Sequence, residues 1–338
     1  GVGPGGRPWS VRRSTLRGGV EEGVEVIHVD NGALRFSVVT TRGMSVQRVE
    51  GAGIRLGWDS PVKTLVHPRN IELNDHGGLG WLAGFNEWMV RCGVAFAGHP
   101  GQDDGRLLTL HGRIGNLPAS NVEVLVDDRI RIRGLVEERM FKFCAFELWT
   151  EVSTEPGSLS LRFEDRLVNR SAYEKEYQII YHANYGPPLL EAGTRFLAPV
   201  KEVFPFDAYA AKDLGVYETY LGPTRNYGEQ VYCVTPHADA QGRSVVMLRD
   251  AAGRRGVALR YDTASLPSLT LWKNTDTLED GYVTGLEPGS GFLVRDLRLA
   301  LNAVLDLLPN LRLDPTKPIP KITGAQLRGP HELHVVWD

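Results

Sequence analysis

Hydrophobic and polar positions alternate in short runs along most of the chain. VEVIHVD, LRFSVVTT, VEVLVDD, RIRIRGLVEE, LSLRFEDRLVN, EYQIIYH, SVVMLRD, GVALRYD, LTLWKN and ELHVVWD are rich in β-branched and aromatic residues. A period of two is that of strands with one buried face, and the Gly, Pro, Asn and Asp between the runs are turn formers. Helical periodicity is weak, and 38 glycines with 20 prolines suit many turns better than long helices. EWMVRCGVAFAG reads as a short helix or a buried strand, and LRLALNAVLDLLPN as a helix or an apolar strand pair. About twenty strands require large sheets packed face to face, because one open sheet of that width curls or splits. The predicted fold is therefore an all-β sandwich of large antiparallel sheets, with a broad open groove on one sheet face.

The 338 residues contain no Pro/Ser/Gly linker, composition shift or repeat, so they read as one domain over 1–338, with 1–16 as an extended arm. Hydrophobic residues make up 42% and charged residues 23%, as in folded globular proteins. A net charge of −3 without a Lys/Arg run gives no electrostatic basis for binding nucleic acid or an acidic membrane surface. A small or neutral partner is expected instead. Apolar runs fall short of the roughly 20 residues needed to span a bilayer, and the first residues lack an apolar signal core. Cys92, Cys144 and Cys233 are odd in number and form no CxxC pair, which suits reduced thiols and a cytoplasmic location.

No GxGxxG after a strand, GxxxxGK[ST], HExxH, GxSxG or EF-hand loop is present. What remains is a set of ionisable residues at strand ends beside glycine, proline and aromatics. His182 lies in YHANYG with Asn184, and His111 in LHGRIGNLPA with Arg113. Two histidines converging on one groove could exchange protons near neutral pH. Glu287 in TGLEPGSG and Glu229 in NYGEQVY are candidate base and hydroxyl acceptor. Lys273 and Trp272 in LTLWKN suit an ammonium beside a stacking ring, although a surface lysine fits equally. Arg42 in TTRGMS and Arg91 in WMVRCG are cations in apolar contexts, for which a buried carboxylate partner is the plainer reading. His67 in LVHP and the pair Asp75 and His76 are weaker candidates.

The ordered set TRGM, LGW-SP, VHP, GLGWLAGF-EW-VRCG, LHGRIGNLPA, YHANYG, GEQVY, LWKN and GLEP resembles the aldose 1-epimerase (galactose mutarotase)-like superfamily. It is closest to a divergent bacterial branch of unknown function, over about residues 17 to 300. The resemblance implies a galactose mutarotase-like β-supersandwich and an isomerase that interconverts sugar anomers without a cofactor. It implies His182, Glu287 and His111 as the catalytic set, with Glu287 as base and His182 as acid on opposite sides of the acetal. Arg42, Arg113, Asn184, Glu229, Trp272 and Lys273 would bind substrate, a monosaccharide or small oligosaccharide. The arginines, Lys273 and VHP also fit an isomerase or lyase acting on a keto-sugar or uronate, with a divalent metal on His67, His182 and Glu229 as one form. A non-catalytic sugar-binding protein is a third reading, and a homodimer is compatible with all three.

Overall fold

A computed structural model of the protein describes residues 1–2, 8–103 and 105–292, together with four two-residue strands further on. The backbone groups into two compact units, Gly1–Phe292 and Leu293–Asp338. The sequence, read as one domain over 1–338, carries no linker at this division. In the second unit Arg312–Leu313 pairs with Val335–Val336, and Ile322–Thr323 with Gly329–Pro330. The ELHVVWD strand is thus described at two residues, and LRLALNAVLDLLPN lies outside the described residues.

The first unit is built on an eleven-stranded antiparallel sheet, with smaller sheets of four and three strands. Across the large sheet run, in spatial order, Met89–Val94, Gln178–Tyr185, Val283–Gly289, Ser268–Asn274, Gln230–Pro236 and Val200–Pro205. The ambiguous EWMVRCGVAFAG segment is the strand Met89–Val94, buried throughout. The expected sandwich of antiparallel sheets is present, as one wide sheet backed by the two smaller ones. One apolar cluster joins all three, including Ile27 and Phe36 of the large sheet, Ile132 and Leu148 of the four-stranded sheet, and Val246 and Leu248 of the three-stranded sheet. Burying each such side chain stabilises by about 1.5–3 kcal/mol. Among the described residues no helix is long and apolar enough to cross a membrane.

The pleat sends adjacent residues of a strand to opposite faces. In Gln178–Tyr185 the Tyr181 hydroxyl points to the core side and donates to Asp165 of the four-stranded sheet at 2.7 Å. Arg91 meets the same Asp165 at 2.5 and 2.9 Å and also donates to Thr150 and the Met44 carbonyl. His182 and Asn184 therefore project from the other face of the sheet.

Candidate active site

Three central strands supply that face. By register His182 lies across from Glu287, Glu287 pairs with Thr270, and Gly285 pairs with Trp272. Glu287 is not at a turn, as the Pro-Gly after it suggested, but buried inside the Val283–Gly289 strand. His182 Nε2 stands 3.3 Å from Glu287 Oε1, with both side chains almost wholly buried. Gly285 leaves the space between them open. A Cβ there would overlap Glu287 Oε1 and lie 3.2 Å from both His182 Cε1 and Trp272 Cε3.

His111 approaches from the turn after the short strand Arg106–Leu108. Its backbone is left-handed at φ 58° and is followed by Gly112 at φ 66°, where a Cβ would collide with the Phe96 and Gly93 carbonyls. This tight turn sets the ring 5.2 Å from that of His182, edge on. His111 Nδ1 lies 3.2 Å from the Ala97 carbonyl, which can only accept, so Nδ1 carries the proton and Nε2 the free lone pair when the ring is neutral. The short 3-10 turn Gly80–Gly84 adds Trp81, 4.5 Å from the His111 ring, and is followed by Phe85, 5.3 Å from the His182 ring. Trp272 stands 5.6 Å from His182 on another side. The open groove expected from the sequence is thus an enclosed, aromatic-walled site at its histidines.

Enclosure governs the charges. Burial, reinforced by the charge of Glu229, raises the Glu287 carboxyl well above its ordinary value. Burial, reinforced by His111, lowers His182 well below its own. Burial also takes His111 down to about 3, against the hydrogen bond to Ala97. Glu229 is exposed at the rim, where partial enclosure raises its carboxyl and a hydrogen bond with Trp272 opposes the rise. The two buried histidines are therefore uncharged near neutral pH, and the Glu287 carboxyl is biased toward its protonated form.

Buried polar atoms are normally paired, yet this face collects exceptions. Among the described residues, both Glu287 oxygens, His182 Nδ1, Asn184 Oδ1, Thr270 Oγ1 and Trp81 Nε1 meet no partner in hydrogen-bond geometry. Trp81, Phe85 and Thr270 were not singled out from the sequence. Thr270 has only its cross-strand position to mark it, whereas GWLAGF carries its aromatics four residues apart on a short turn.

Several expected binding residues lie elsewhere. Arg42 is fully buried, paired with Glu87 at 2.7 Å, and donates to Val66 O, Gly84 O and Asn116 Oδ1. It is held by the protein instead of facing a ligand. Lys273, next to Trp272, necessarily points to the opposite face. There it donates to the Tyr217 and Thr219 carbonyls and packs over the Tyr220 ring, and burial lowers it to about 8. Arg113 is exposed, and its charge acts on Glu138 and Cys144 of the four-stranded sheet. Asn184 is fully buried, its amide nitrogen donating to the Glu87 carbonyl at 3.0 Å. His67 caps the turn Pro68–Asn70 by accepting from Arg69 N, and Asp75 and His76 are exposed on the next turn. His67, His182 and Glu229 do not assemble as metal ligands, and no group of three His, Cys, Asp or Glu suited to a metal occurs among the described residues.

The family model of a domain of unknown function, DUF4432, matches residues 21–310. A search of curated proteins found no match. Among solved structures, a Klebsiella pneumoniae protein provisionally named an aldose 1-epimerase is 47% identical, with a TM-score of 0.83 over 84% of this chain and 76% of its own. A galactose mutarotase-like protein from Clostridium acetobutylicum is 13% identical, with a TM-score of 0.56 over 83% of this chain and 88% of its own. A galactose mutarotase related enzyme from Lactobacillus acidophilus is 14% identical, with a TM-score of 0.50 over 79% and 86%. The last two share the fold alone. With the wide sheet, its backing sheets and a match over most of its length, the chain belongs to the DUF4432 family, a divergent branch with the galactose mutarotase-like fold.

Proposed function

We propose that the protein is an isomerase that interconverts the anomers of a neutral aldose, with His182 and Glu287 as its acid–base pair. One observation carries this reading: buried donors and acceptors without partners among the described residues converge inside aromatic walls. A hydroxyl-rich ring with apolar faces would satisfy both. The kinship with a protein provisionally named an aldose 1-epimerase supports it.

Anomer interconversion needs one proton removed from the anomeric hydroxyl and one delivered to the ring oxygen. Both oxygens sit on the same carbon, so two groups close to one another can reach both. A pair 3.3 Å apart meets that demand. Burial biases Glu287 toward holding its proton and His182 toward the neutral ring. Glu287 is then the acid and His182 Nε2 the base, the reverse of the roles implied by resemblance. As His182 takes the hydroxyl proton, the ring C–O bond breaks, its electron pair goes to the ring oxygen, and Glu287 protonates that oxygen. The aldehyde rotates about its first carbon–carbon bond, and reclosure on the other face returns both protons. His111 Nε2, neutral at working pH, accepts a substrate hydroxyl, and Trp272 and Phe85 stack on the ring.

The placement of the cations favours a neutral sugar over a uronate. Arg42 is committed to Glu87, Lys273 lies on the opposite face, and Arg113 acts on the backing sheet. Proton NMR of freshly dissolved aldoses, keto-sugars and uronates with catalytic protein tests the reading. Faster anomer exchange for a neutral aldose supports it. Binding without exchange would make the protein a sugar-binding module, and a new unsaturated or isomerised product would make it a lyase or ketose isomerase.

A further inference from the structure

Both backbone groups and one ring nitrogen of His111 are taken by the segment 93–98. The His111 N–H donates to the Gly98 carbonyl at 2.9 Å, its carbonyl accepts from Gly93 N at 3.0 Å, and Nδ1 donates to the Ala97 carbonyl at 3.2 Å. Where this segment stands therefore decides where the ring stands. It leaves the strand Met89–Val94 and forms no further strand over 95–98, so its amides need acceptors from outside the sheet ladder. Two side chains supply them. Gln178 Oε1 accepts from Ala97 N at 2.8 Å, and Glu138 Oε2 accepts from Val94 N at 2.7 Å and Ala95 N at 3.2 Å.

The two holds come from different sheets. Glu138 lies in Ile130–Met140 of the four-stranded sheet and is buried. Gln178 opens the strand Gln178–Tyr185 of the wide sheet, four residues before His182, and a period of two puts both side chains on one face. The strand that carries one histidine thus holds the residue that anchors the other, whose ring stands 5.2 Å away. We propose that Gln178 is a positioning residue that, by holding Ala97, keeps the His111 ring protonated at Nδ1 with Nε2 free to accept from the sugar, while Glu138 fixes the start of the same segment. A carbonyl oxygen cannot donate, so while Ala97 O is in place the proton stays on Nδ1. Removing the acceptor for Ala97 N leaves a polar group unpaired, and the residue shifts to find another partner. The ring then gains the Nε2–H tautomer, in which the free nitrogen no longer faces the sugar as an acceptor.

The consequence for turnover rests on the sugar-site reading above, but the tautomer can be read without turnover. Nitrogen-15 NMR of histidine-labelled protein, with His111 assigned by its absence in His111→Gln, reports which ring nitrogen bears hydrogen. The wild type should show Nδ1–H. Gln178→Leu should populate Nε2–H at His111 and raise KM for the neutral aldose about tenfold, the scale of one lost hydrogen bond, with kcat changed less than threefold. Gln178→Glu keeps an acceptor oxygen at the same reach and should retain both Nδ1–H and a KM within threefold of the wild type. Should the leucine variant fail to fold, Gln178→Asn, whose amide is one methylene short of Ala97 N, should give the same tautomer shift. A wild-type ring in the Nε2–H form, or folded leucine or asparagine variants that keep His111 wholly as Nδ1–H, would overturn the proposal. If the wild type accelerates no anomer exchange, the sugar-site reading fails while the tautomer result still decides the role of Gln178.

Discussion

Tyr181 and His182 are adjacent in sequence and belong to opposite polar clusters. On the core face, Tyr181, Arg91, Asp165 and Thr150 satisfy one another, with a bidentate ion pair at the centre. On the other face, His182, Glu287 and Thr270 hold polar atoms that nothing among the described residues satisfies. Both clusters are buried and both contain ionisable groups. Burial and charge therefore do not separate these two clusters, whereas completeness of hydrogen bonding does, although single unpaired atoms such as Ser153 Oγ and Tyr261 Oη also occur elsewhere. Arg42 with Glu87 belongs to the complete kind.

The comparison can be broken most sharply by exchanging the effects of substitution. His182→Ala or Glu287→Gln should reduce anomer exchange by about 100-fold or more, without loss of stability in urea melts. Asp165→Asn, which strands the Arg91 guanidinium, should destabilise by about 3–5 kcal/mol. A site variant that unfolds the protein, or a core variant that melts normally, would reverse the assignment.

Gly285→Ala should abolish exchange by filling the space beside Glu287, at a cost of about 1–3 kcal/mol in stability from overpacking. Stability should also depend on pH through the buried histidines. His111 binds its proton only near 3, against about 6.5 when unfolded, so the unfolded chain takes up the extra proton in between. Stability should fall as pH drops from about 6.5 towards 3, and the slope of urea midpoint against pH over that window should flatten in His111→Gln. The smallest effects should come from the neighbours that face apart: Trp272→Ala should raise KM for the aldose about tenfold, the scale of a lost aromatic contact, whereas Lys273→Met should leave KM within twofold.

Alternation made most of the strands legible, and resemblance brought His182, Glu287 and His111 forward. The same alternation sends the side chains of the neighbours Trp272 and Lys273 to opposite faces, so they do not share a site. Pro288 and Gly289 read as a turn because proline gives up a ladder donor, yet Pro288 pairs with Leu269 inside the sheet. Arg42 could be read as a buried ion pair, but its partner lies 45 residues away and depends on the fold. Trp81 and Phe85 occupy short turns without periodicity, and Thr270 acquires meaning only from register with Glu287.

The central claim is that the incomplete face is a catalytic sugar site, and exchange spectroscopy between the two anomers of a neutral aldose tests it most directly. Catalytic amounts of the wild type should accelerate exchange, and Glu287→Gln, folded to the same degree, should not. Equal exchange rates with and without the wild-type protein across neutral aldoses, or an undiminished rate in Glu287→Gln, would contradict it.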